Sequence, residues 1–226
     1  MQSQTYSIGV IGGTGPQGRG LGYRFARAGH RVLLGSRSQE RAREAAAELN
    51  ARLPAERAVL GTSNACAAQL SDVVLLAVPW NGHDELVASL RDESAGKIVI
   101  SCVNPLGFDK RGPYGLSVSD GSAAEQAAAL LPDSRVVGAF HHVSAVSLLG
   151  DTDFLAHEDV LVCGDDRDAK AVVRDIAAAV TGRPGVDAGG LRMARQLEPL
   201  TAVLISINKR YRAHSGIAVT GLSTSD

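Results

Sequence analysis

The sequence predicts an α/β fold, a doubly wound parallel sheet followed by a smaller α/β domain at the C-terminal end. Apolar runs of strand length alternate with helical patterns through the first two thirds of the chain, which is the order that builds a parallel sheet. The run from Asp72 to Trp80 is apolar on both faces, as a strand buried between two helical layers requires. A glycine-rich turn joins the first strand to the first helix. Together these features predict a Rossmann-type domain over residues 1–145 and a smaller domain over residues 146–226.

The size and composition of the chain limit what it can be. Its 226 residues suffice for one large domain, or for one domain with a small appendage. The net charge of −1 gives no reason to expect nucleic acid or an anionic membrane as the main partner. Three widely spaced cysteines without a C-x-x-C pair predict neither a metal site nor a disulfide framework. We find no secretory signal and no membrane-spanning run, so we expect a soluble cytoplasmic protein.

The first predicted strand and helix enclose a glycine motif. The apolar run Ile8–Ile11 breaks into Gly12–Gly18, and a helical pattern follows. Gly13, Gly15 and Gly18 form a G-x-G-x-x-G in the strand–loop–helix context where this motif binds dinucleotides. One glycine permits the tight turn, another lets the backbone approach the pyrophosphate, and the third lets helix and strand pack closely. The N-terminus of the helix adds a positive dipole for the phosphates, so we predict a dinucleotide site here.

The end of the second predicted strand, Arg31–Leu34, indicates which dinucleotide binds. An NAD site normally has Asp or Glu there for the ribose 2′-hydroxyl, whereas an NADP site has an Arg for the 2′-phosphate. Here Ser36 and Arg37 follow the strand, and no acid stands at its end. Arg41 falls in the first turn of the next helix, where a cation opposes the helix dipole unless an anionic ligand offsets it. The alternative is a solvated helix face on which glutamates balance the arginines. We predict NADP rather than NAD.

The fourth predicted strand ends in Val78, Pro79 and Trp80. These residues lie at the carboxyl edge of the sheet, where open α/β folds bind their ligands. Trp80 is the only tryptophan of the chain. A ligand contact and plain packing are equally good interpretations of its presence at this edge.

The remaining elements follow from periodicity and from Gly and Pro breaks. In the first domain we predict helices over Ser38–Leu53, Asn64–Leu70, His83–Arg91 and Ser122–Leu131, and strands over Ala58–Leu60, Lys97–Val103 and Arg135–Phe140. The long Gly-, Pro- and Ser-rich stretch after Pro105 predicts a lid, a binding loop or disorder. In the second domain we predict strands over Val160–Cys163 and Gly185–Ala188, a helix over Ala169–Val180, a long helix over Leu191–Tyr211 that Pro199 kinks or restarts, and a frayed tail over Ser223–Asp226.

A second cluster, Gly138–Ala145, follows the last strand of the first domain. Its small residues leave room for a flat ring beside a nicotinamide, and His141 can hydrogen-bond such a ring. A histidine in a cleft is more often structural than catalytic, so on chemistry alone the structural interpretation is the commoner one.

Taken together, these residues give a chain that resembles the NADPH-dependent reductases of the deazaflavin coenzyme F420. The resemblance covers nearly the whole chain and rests on GGTGPQGRGLGYRFARAGH, GSRSQERA, AVPW, AFHHVSA, VLVCGDD, DAG and LEPLTAVLISINKRYRAHSGI. It implies a Rossmann domain and a smaller C-terminal domain with the two coenzymes between them, commonly in a homodimer. It also implies reversible hydride transfer between C4 of the nicotinamide and C5 of the deazaflavin, without an acid–base residue.

The resemblance implies roles for individual residues. Those that match the family's pocket for the NADP 2′-phosphate are Thr14, Ser36, Arg37 and Arg41. Those that match the segment and the helix beside the deazaflavin are His141, Val143 and Thr201. The full set of predicted cofactor-binding residues is Gly13, Thr14, Gly15, Gln17, Gly18, Ser36, Arg37, Arg41, Val78, Pro79, Trp80, Val143, Ser144, Ala145 and Thr201, with His141 as an orienting catalytic residue and no metal ligand.

The C-terminal helix carries two further expectations. Its apolar residues are expected to contribute to a subunit interface as well as to docking; they are Leu197, Leu200, Val203, Leu204 and Ile207. Its basic residues suit the acidic tail of coenzyme F420, although a solvated helix face is the commoner explanation for any one of them; they are Arg192, Arg195, Lys209 and Arg210.

Two other functions stay open on the sequence. One is an NADP-dependent reductase of an imine, a hydroxy acid or a metal centre, although hydroxyacid dehydrogenases of this fold usually carry a long all-helical second domain. The other is a non-enzymatic NADP sensor, which needs no pocket facing the nicotinamide.

Overall fold

The computed structural model describes residues 4–222. Its strands are β1 (Ser7–Ile11), β2 (Arg31–Ser36), β3 (Leu60–Ser63), β4 (Val73–Leu76), β5 (Ile98–Ser101), β6 (Leu106–Asp109), β7 (Gly112–Gly115), β8 (Arg135–Gly138), β9 (Leu161–Gly164) and β10 (Val186–Asp187). Its helices are α1 (Pro16–Arg27), α2 (Gln39–Asn50), α3 (Asn64–Gln69), α4 (His83–Ala88), α5 (Arg91–Ser94), α6 (Ala123–Leu130), α7 (Ala145–Leu148), α8 (Arg167–Thr181) and α9 (Ala194–Tyr211). The predicted frayed tail, Ser223–Asp226, lies outside the described residues. Within residues 4–222, no helix combines the length and the apolar character needed to cross a membrane.

Eight strands form one sheet in the order β10-β9-β8-β5-β4-β1-β2-β3. From β1 the chain first runs outward through β2 and β3, and β4, β5 and β8 are then added on the other side, all of them parallel. The direction of winding reverses between β1 and β4, and doubly wound sheets bind ligands at the carboxyl edge of such a switch point. The predicted doubly wound parallel sheet is confirmed.

The chain beyond residue 145 joins the same sheet. Strand β9 pairs antiparallel with β8, with Cys163 opposite Gly138, and β10 runs parallel to β9. The C-terminal region therefore docks by main-chain hydrogen bonds at the sheet edge. The division into domains at residue 145 stays a prediction.

Two hydrophobic clusters cover the two faces of the sheet. Because side chains alternate along a strand, Ile8 and Val10 enter the cluster that includes α1 and α8, whereas Ile11 enters the one that includes α3 and α6. A Cβ on Gly9 would lie only 2.3 Å from the carbonyl oxygen of Ala67, so α3 packs directly on the central strand. Full burial of one such Ile or Val side chain stabilises the fold by roughly 1.5–3 kcal/mol.

Two element predictions are wrong in their bounds. The third strand forms at Leu60–Ser63 and not at Ala58–Leu60. The reason is that the side chain of Asn50 binds both the N–H and the carbonyl of Val59, at 2.7 and 3.0 Å, and so occupies the groups that a ladder would use. The single helix predicted from His83 is broken into α4 and α5.

The stretch after Pro105 is an ordered hairpin. Strands β6 and β7 pair antiparallel around a short turn, and Gly112, the first residue of β7, has φ of +121°. The hairpin packs on α9, since a Cβ on Gly115 would lie 2.6 Å from Cβ of Pro199. Helix α9 runs continuously through Pro199, so the chain does not restart a helix there.

Candidate functional site

The glycine loop lies between β1 and α1 at the carboxyl edge of the sheet. Gly12 has the left-handed backbone, with φ of +76°, so the tight turn falls one residue earlier than the motif alone suggests. A Cβ on Gly18 would lie 2.8 Å from the carbonyl oxygen of Gly12, which explains why helix and turn can pack so closely. Gly15 is the N-cap of α1, which has no side-chain cap and no acid in its first turn. These helix N–H groups are therefore available to phosphate.

The glycine loop is tied to the end of β2. The N–H of Gly13 donates to the carbonyl of Gly35 at 2.8 Å. The N–H of Gly12 donates to Oδ1 of Asn64 at 3.3 Å, and Asn64 is buried at the start of α3. Asn64 is a site residue that sequence reasoning did not single out, although it is the first residue of the predicted helix Asn64–Leu70.

The predicted 2′-phosphate residues lie beside this loop. Ser36 is 8% exposed, and its Oγ accepts from the N–H of Ser38 at 3.2 Å, so its hydroxyl hydrogen is free to donate. The Oγ of Ser38 in turn caps α2 by accepting from the N–H of Arg41 at 3.3 Å. Arg37 and Arg41 are exposed, and within the described chain neither makes an ion pair. The solvated helix face considered as an alternative stays open, because Glu40, Arg43 and Glu44 are exposed on α2 as well.

The end of β4 lies against the glycine loop. The N–H of Ala77 donates to the carbonyl of Ile11 at 2.9 Å, and a Cβ on Gly12 would come within 2.8 Å of the side chain of Val78. Val78 and its successor Pro79 are therefore next to the turn that approaches the pyrophosphate. Thr14, on the loop itself, is half-exposed.

Trp80 is half-buried and packs against one core cluster. Its ring lies 5.3 Å from the ring of His83, tilted by 32°. His83 is fully buried, and its Nδ1–H donates to Oε1 of Gln126 at 2.9 Å. Burial lowers the pKa of His83, and the hydrogen bond to Gln126 opposes that change. The tryptophan thus has a packing role, and its partly exposed surface leaves the ligand role open.

The second cluster contains a residue with a strained backbone. Phe140 has φ of +64°, which costs a bulky side chain about 1–3 kcal/mol and is found mostly at functional sites. Its ring is buried and meets the ring of Phe25 edge-on at 5.6 Å. Its carbonyl accepts from Nε2 of Gln17 at 3.3 Å. Gln17, predicted to bind cofactor, therefore joins α1 to the second cluster.

The ring of His141 lies beneath the protein surface. The residue is 3% exposed, and within the described chain neither ring nitrogen has a hydrogen-bond partner. Burial lowers its pKa to about 3, with a smaller contribution from His142, so the imidazole is neutral at physiological pH. A Cβ on Gly138 would lie 3.2 Å from Cε1 of His141. A direct hydrogen bond from this ring to a ligand requires the side chain to rotate, and the orienting role of His141 stays a prediction.

The backbone of this cluster is held from several directions. The carbonyl of His141 accepts from Nδ2 of Asn104 at 3.0 Å and from Oγ1 of Thr201 at 2.9 Å. The Nε2–H of His142 donates to the carbonyl of Leu197 at 2.7 Å. Thr201 therefore holds the backbone of the second cluster by a hydrogen bond. Asn104 was missed by sequence reasoning, because no local pattern links it to residues so far along the chain.

The end of the second cluster continues into α7. Val143 is 6% exposed and belongs to a core cluster. Ser144 and Ala145 are half-exposed, and Oγ of Ser144 caps the helix by accepting from the N–H of Ser147. The sequence predicted no helix here. At the protein surface this cluster thus presents Ser144 and Ala145 rather than the side chain of Val143.

A buried carboxylate connects α9 to this side of the site. Glu198 is 1% exposed, and it accepts from the N–H groups of Ala123 and Ala124 at 2.8 and 3.0 Å, at the N-terminus of α6. Burial raises the pKa of Glu198 to about 7, although these two hydrogen bonds oppose the rise. Among the predicted rim cations, Arg195 is bound to Glu125 at 2.8 Å.

Other chemistry is not assembled in the described part of the chain. Residues 4–222 contain no group of three or more His, Cys, Asp or Glu that could hold a metal ion. The three cysteines are free, and burial raises the pKa of both Cys102 and Cys163 to about 12. A cavity of about 890 Å³ lies near the amino ends of the strands, lined by residues such as Tyr6, His30 and Phe154, and shares no residue with the site.

These features define a class of protein. An uncapped helix N-terminus at a topological switch point, with a cationic and acid-free end on the neighbouring strand, is the arrangement that binds NADP. The protein has a Rossmann-type fold, and this edge of its sheet has the features of an NADP site.

Known proteins identify the family. The family described as "NADP oxidoreductase coenzyme F420-dependent" matches residues 7–105. The F420-dependent NADP reductase of Methanocaldococcus jannaschii is 37% identical over 221 residues, covering 95% of this chain and 98% of that protein. The reductase of the same name from Methanothermobacter thermautotrophicus is 39% identical over 222 residues, covering 95% of each. A solved structure, a putative F420-dependent NADP reductase from Arthrobacter sp. FB24, has a TM-score of 0.79 at 26% identity and covers 95% of this chain and 100% of its own. The chain belongs to the family of F420-dependent NADP reductases.

Proposed function

We propose that the protein catalyses reversible hydride transfer between NADPH and coenzyme F420. One observation supports this above all others. The chain is a member of this family. On one side of the site it has the uncapped N-terminus of α1 and the cationic end of β2. On the other side it has a segment of small residues whose start is held by hydrogen bonds. When both coenzymes are bound, the hydride passes between C4 of the nicotinamide and C5 of the deazaflavin.

On the NADPH side, each part of the coenzyme has residues that fit it. The N-terminal N–H groups of α1 suit the pyrophosphate, and Gly15 at the N-cap leaves room for its approach. The free hydroxyl of Ser36 and the guanidinium groups of Arg37 and Arg41 suit the 2′-phosphate, because Arg can bind phosphate with two parallel hydrogen bonds.

On the F420 side, the protein's task is to position and to desolvate. The start of the segment of small residues is fixed, because Gln17 binds the carbonyl of Phe140 and both Asn104 and Thr201 bind that of His141. A ring stacked against it therefore meets a surface that needs little reorganisation on binding. Such positioning can supply much of the rate enhancement of a two-substrate reaction. Because His141 is neutral and buried, we do not assign it a proton transfer at neutral pH.

We propose that the protein works as a homodimer through α9. Val203, Ile207 and Tyr211 are spaced four residues apart and are 51%, 37% and 71% exposed, so they form one apolar strip on the helix. Leu197 and Leu204 are each 8% exposed and pack inside the chain, which leaves only part of the apolar set predicted from sequence for an interface.

The free cysteines suit a reducing compartment such as the cytoplasm.

The dimer is tested by sedimentation with a matched pair of variants. Val203→Glu puts a charge on the exposed strip, whereas Ala47→Glu puts the same charge on the exposed face of α2. We expect a dimer at micromolar concentration for the wild type and for Ala47→Glu, and a monomer for Val203→Glu. A monomeric wild type would refute the dimer and leave the proposed activity standing.

The activity is tested by mixing purified protein with NADPH and coenzyme F420 and following the deazaflavin absorbance. We expect the absorbance to fall with NADPH, to fall far more slowly with NADH, and to return when an excess of NADP⁺ is added to the reduced coenzyme. NADPH binding without any F420 reduction would refute the proposal and favour a sensor or a reductase of another substrate.

A further inference from the structure

Arg24 is the largest charged side chain in the interior of the described chain. It lies on α1 and is 0% exposed. Its guanidinium donates to five backbone carbonyls, those of Leu148 (2.7 Å), Thr152 (2.7 Å), Asp153 (2.8 Å), Ser147 (3.0 Å) and Gly150 (3.4 Å). A guanidinium has five N–H donors in a fixed fork, so this one is used almost entirely on a single stretch of backbone.

The contact partners of Arg24 are unusual for a buried charge. Within the part of the chain that the structure describes, Arg24 makes no ion pair with a carboxylate. The charge is instead matched by the last carbonyls of α7 and by the turn that follows, groups that a helix end leaves without partners. The conformation of residues 147–153 is therefore fixed by the geometry of the N–H donors on the Arg24 guanidinium.

Residues 147–153 directly follow the segment that is proposed to face the deazaflavin. One face of α1 holds both stretches. Gln17 donates to the carbonyl of Phe140 at its start, Gly20 lets the helix approach Leu148, since a Cβ there would lie 2.7 Å from Cβ of that residue, and Arg24 binds the carbonyls beyond. These three residues are three and four positions apart, so they lie on the same side of the helix.

The other side of this arrangement is the NADP site. The N-terminus of α1 is the part of the helix that suits the pyrophosphate, and Arg24 is two turns further along the same helix. Two arginines that reach solvent bind the same stretch from outside, since Arg27, which is half-buried, binds the carbonyl of Thr152 at 3.1 Å and the exposed Arg52 binds that of Leu149 at 2.9 Å. Only Arg24 is buried between the helix and the segment.

We propose that Arg24 is a positioning residue for the second coenzyme: it fixes α7 and the turn after it to α1, and so sets the place of residues 143–148 relative to the bound NADPH. The inference rests on the proposed function. It assigns to Arg24 an effect on F420 binding and on turnover, and no effect on the NADPH site itself.

The test compares Arg24→Lys and Arg24→Met with a matched control, Arg183→Lys. Arg183 also binds backbone carbonyls, those of Ala156 and Glu158, and makes an ion pair with Asp159. The contacts of Arg183 lie outside residues 147–153. Three quantities are measured on full-length protein: the Kd for NADPH in the absence of F420, the KM for F420 with kcat, and amide hydrogen exchange over residues 143–150.

We expect Arg24→Lys to retain the fold and to lose affinity and rate on the F420 side. A displacement of about 1 Å in a positioned group costs on the order of a hundredfold in rate, so kcat/KM for F420 should fall between tenfold and a hundredfold. The Kd for NADPH should change less than twofold, and exchange over residues 143–150 should speed up. Arg24→Met should show the same pattern more strongly, and Arg183→Lys should show none of it.

Equal losses for NADPH and F420, in step with a lower Tm, would make Arg24 a general structural residue and would overturn the inference. Unchanged hydrogen exchange in Arg24→Lys would overturn it as well. If the wild type does not reduce F420 at all, the proposed function fails, yet the exchange comparison still shows whether Arg24 holds this segment.

Discussion

The two halves of the site are built in different ways. The half proposed for NADP is built mainly from residues that are close in sequence: a glycine loop with the helix that follows it, and the end of the next strand with its cap. The half proposed for F420 is a short segment after β8 that is fixed by residues from distant parts of the chain, among them Gln17, Asn104 and Thr201. A local site tolerates changes elsewhere in the protein, whereas a segment held by long-range contacts does not. Variants should therefore separate the two halves.

The largest separation is expected from Gly15→Ala. Gly15 has φ of −75°, which Ala can adopt, and on the protein side its Cβ would meet only the carbonyl oxygen of Gly12 at 3.5 Å, an ordinary contact. The added methyl instead occupies the space through which the pyrophosphate approaches. We expect Tm to change little and NADPH affinity, measured by calorimetry, to fall by about a hundredfold.

Gly18→Ala is the contrasting variant at the same loop. Its Cβ would lie 2.8 Å from a backbone carbonyl, so the turn itself must shift and Tm should fall together with NADPH affinity. A normal NADPH affinity in Gly15→Ala would contradict the proposed binding mode.

His141→Ala probes the other half. We expect turnover with F420 to slow by roughly tenfold to a thousandfold, because removal of the ring leaves a cavity under the segment and deletes any hydrogen bond it makes to the bound coenzyme. NADPH affinity should hardly change, since the NADP half is built from local contacts. A variant with full activity would show that His141 only fills space, whereas complete inactivity with normal binding of both coenzymes would require a catalytic role beyond orientation.

Arg37→Ala tests the choice of nucleotide. A hydrogen bond between charged groups contributes about 1.5–3 kcal/mol, so NADPH affinity should fall by about tenfold or more. NADH affinity should be unaffected. Arg43→Ala removes an exposed cation from α2, the helix that follows Arg37, and is the matched control that should alter neither. Equal losses for NADPH and NADH in Arg37→Ala would show that the residue supports the fold instead of binding the 2′-phosphate.

A further effect is expected on the pH dependence of stability. The folded-state pKa of Glu198 is raised from 4.5 to about 7, so the native state binds an extra proton between these values. Its contribution is fully present below pH 4.5 and is lost as the pH rises through 7, a change of a few kcal/mol at most. For His141, whose folded pKa is lowered from 6.5 to about 3, the sign is opposite: stability is lost as the pH falls below 6.5.

Denaturant unfolding across the pH range measures these slopes. Glu198→Gln should remove the loss of stability between pH 4.5 and 7, whatever it does to the absolute free energy of unfolding. Persistence of the full wild-type slope in this variant would assign it to another group.

Local patterns in the sequence predicted the NADP half and most of the fold. The sheet, the glycine loop and the start of the second helix near Ser38 follow from apolar periodicity and from Gly, Pro and Ser positions, which act within a few residues. The position of the tight turn at Gly12 was missed by one residue, because the left-handed backbone depends on how closely Ala77 and Val78 approach. Even for this turn, the sequence predicted its position to within one residue.

The second half was much less predictable. That Gln17 binds the carbonyl of Phe140, or that Arg24 clamps residues 147–153, depends on how α1 is placed against a segment more than a hundred residues later. The burial of the His141 ring has the same origin. The bounds predicted for the third strand were wrong for a local reason that apolar periodicity does not reveal. A single Asn side chain makes the hydrogen bonds of Val59 that a strand ladder would use.

The most direct measurement of the account follows one atom. NADPH carrying deuterium at the transferred position of C4 is mixed with the protein and coenzyme F420, and the reduced deazaflavin is analysed by NMR and mass spectrometry. If the two halves of the site hold the rings against each other, the deuterium appears at C5 of the deazaflavin in the wild type, and in His141→Ala at a lower rate. Deuterium lost to solvent, or a deazaflavin that stays oxidised while NADPH is bound, would contradict it.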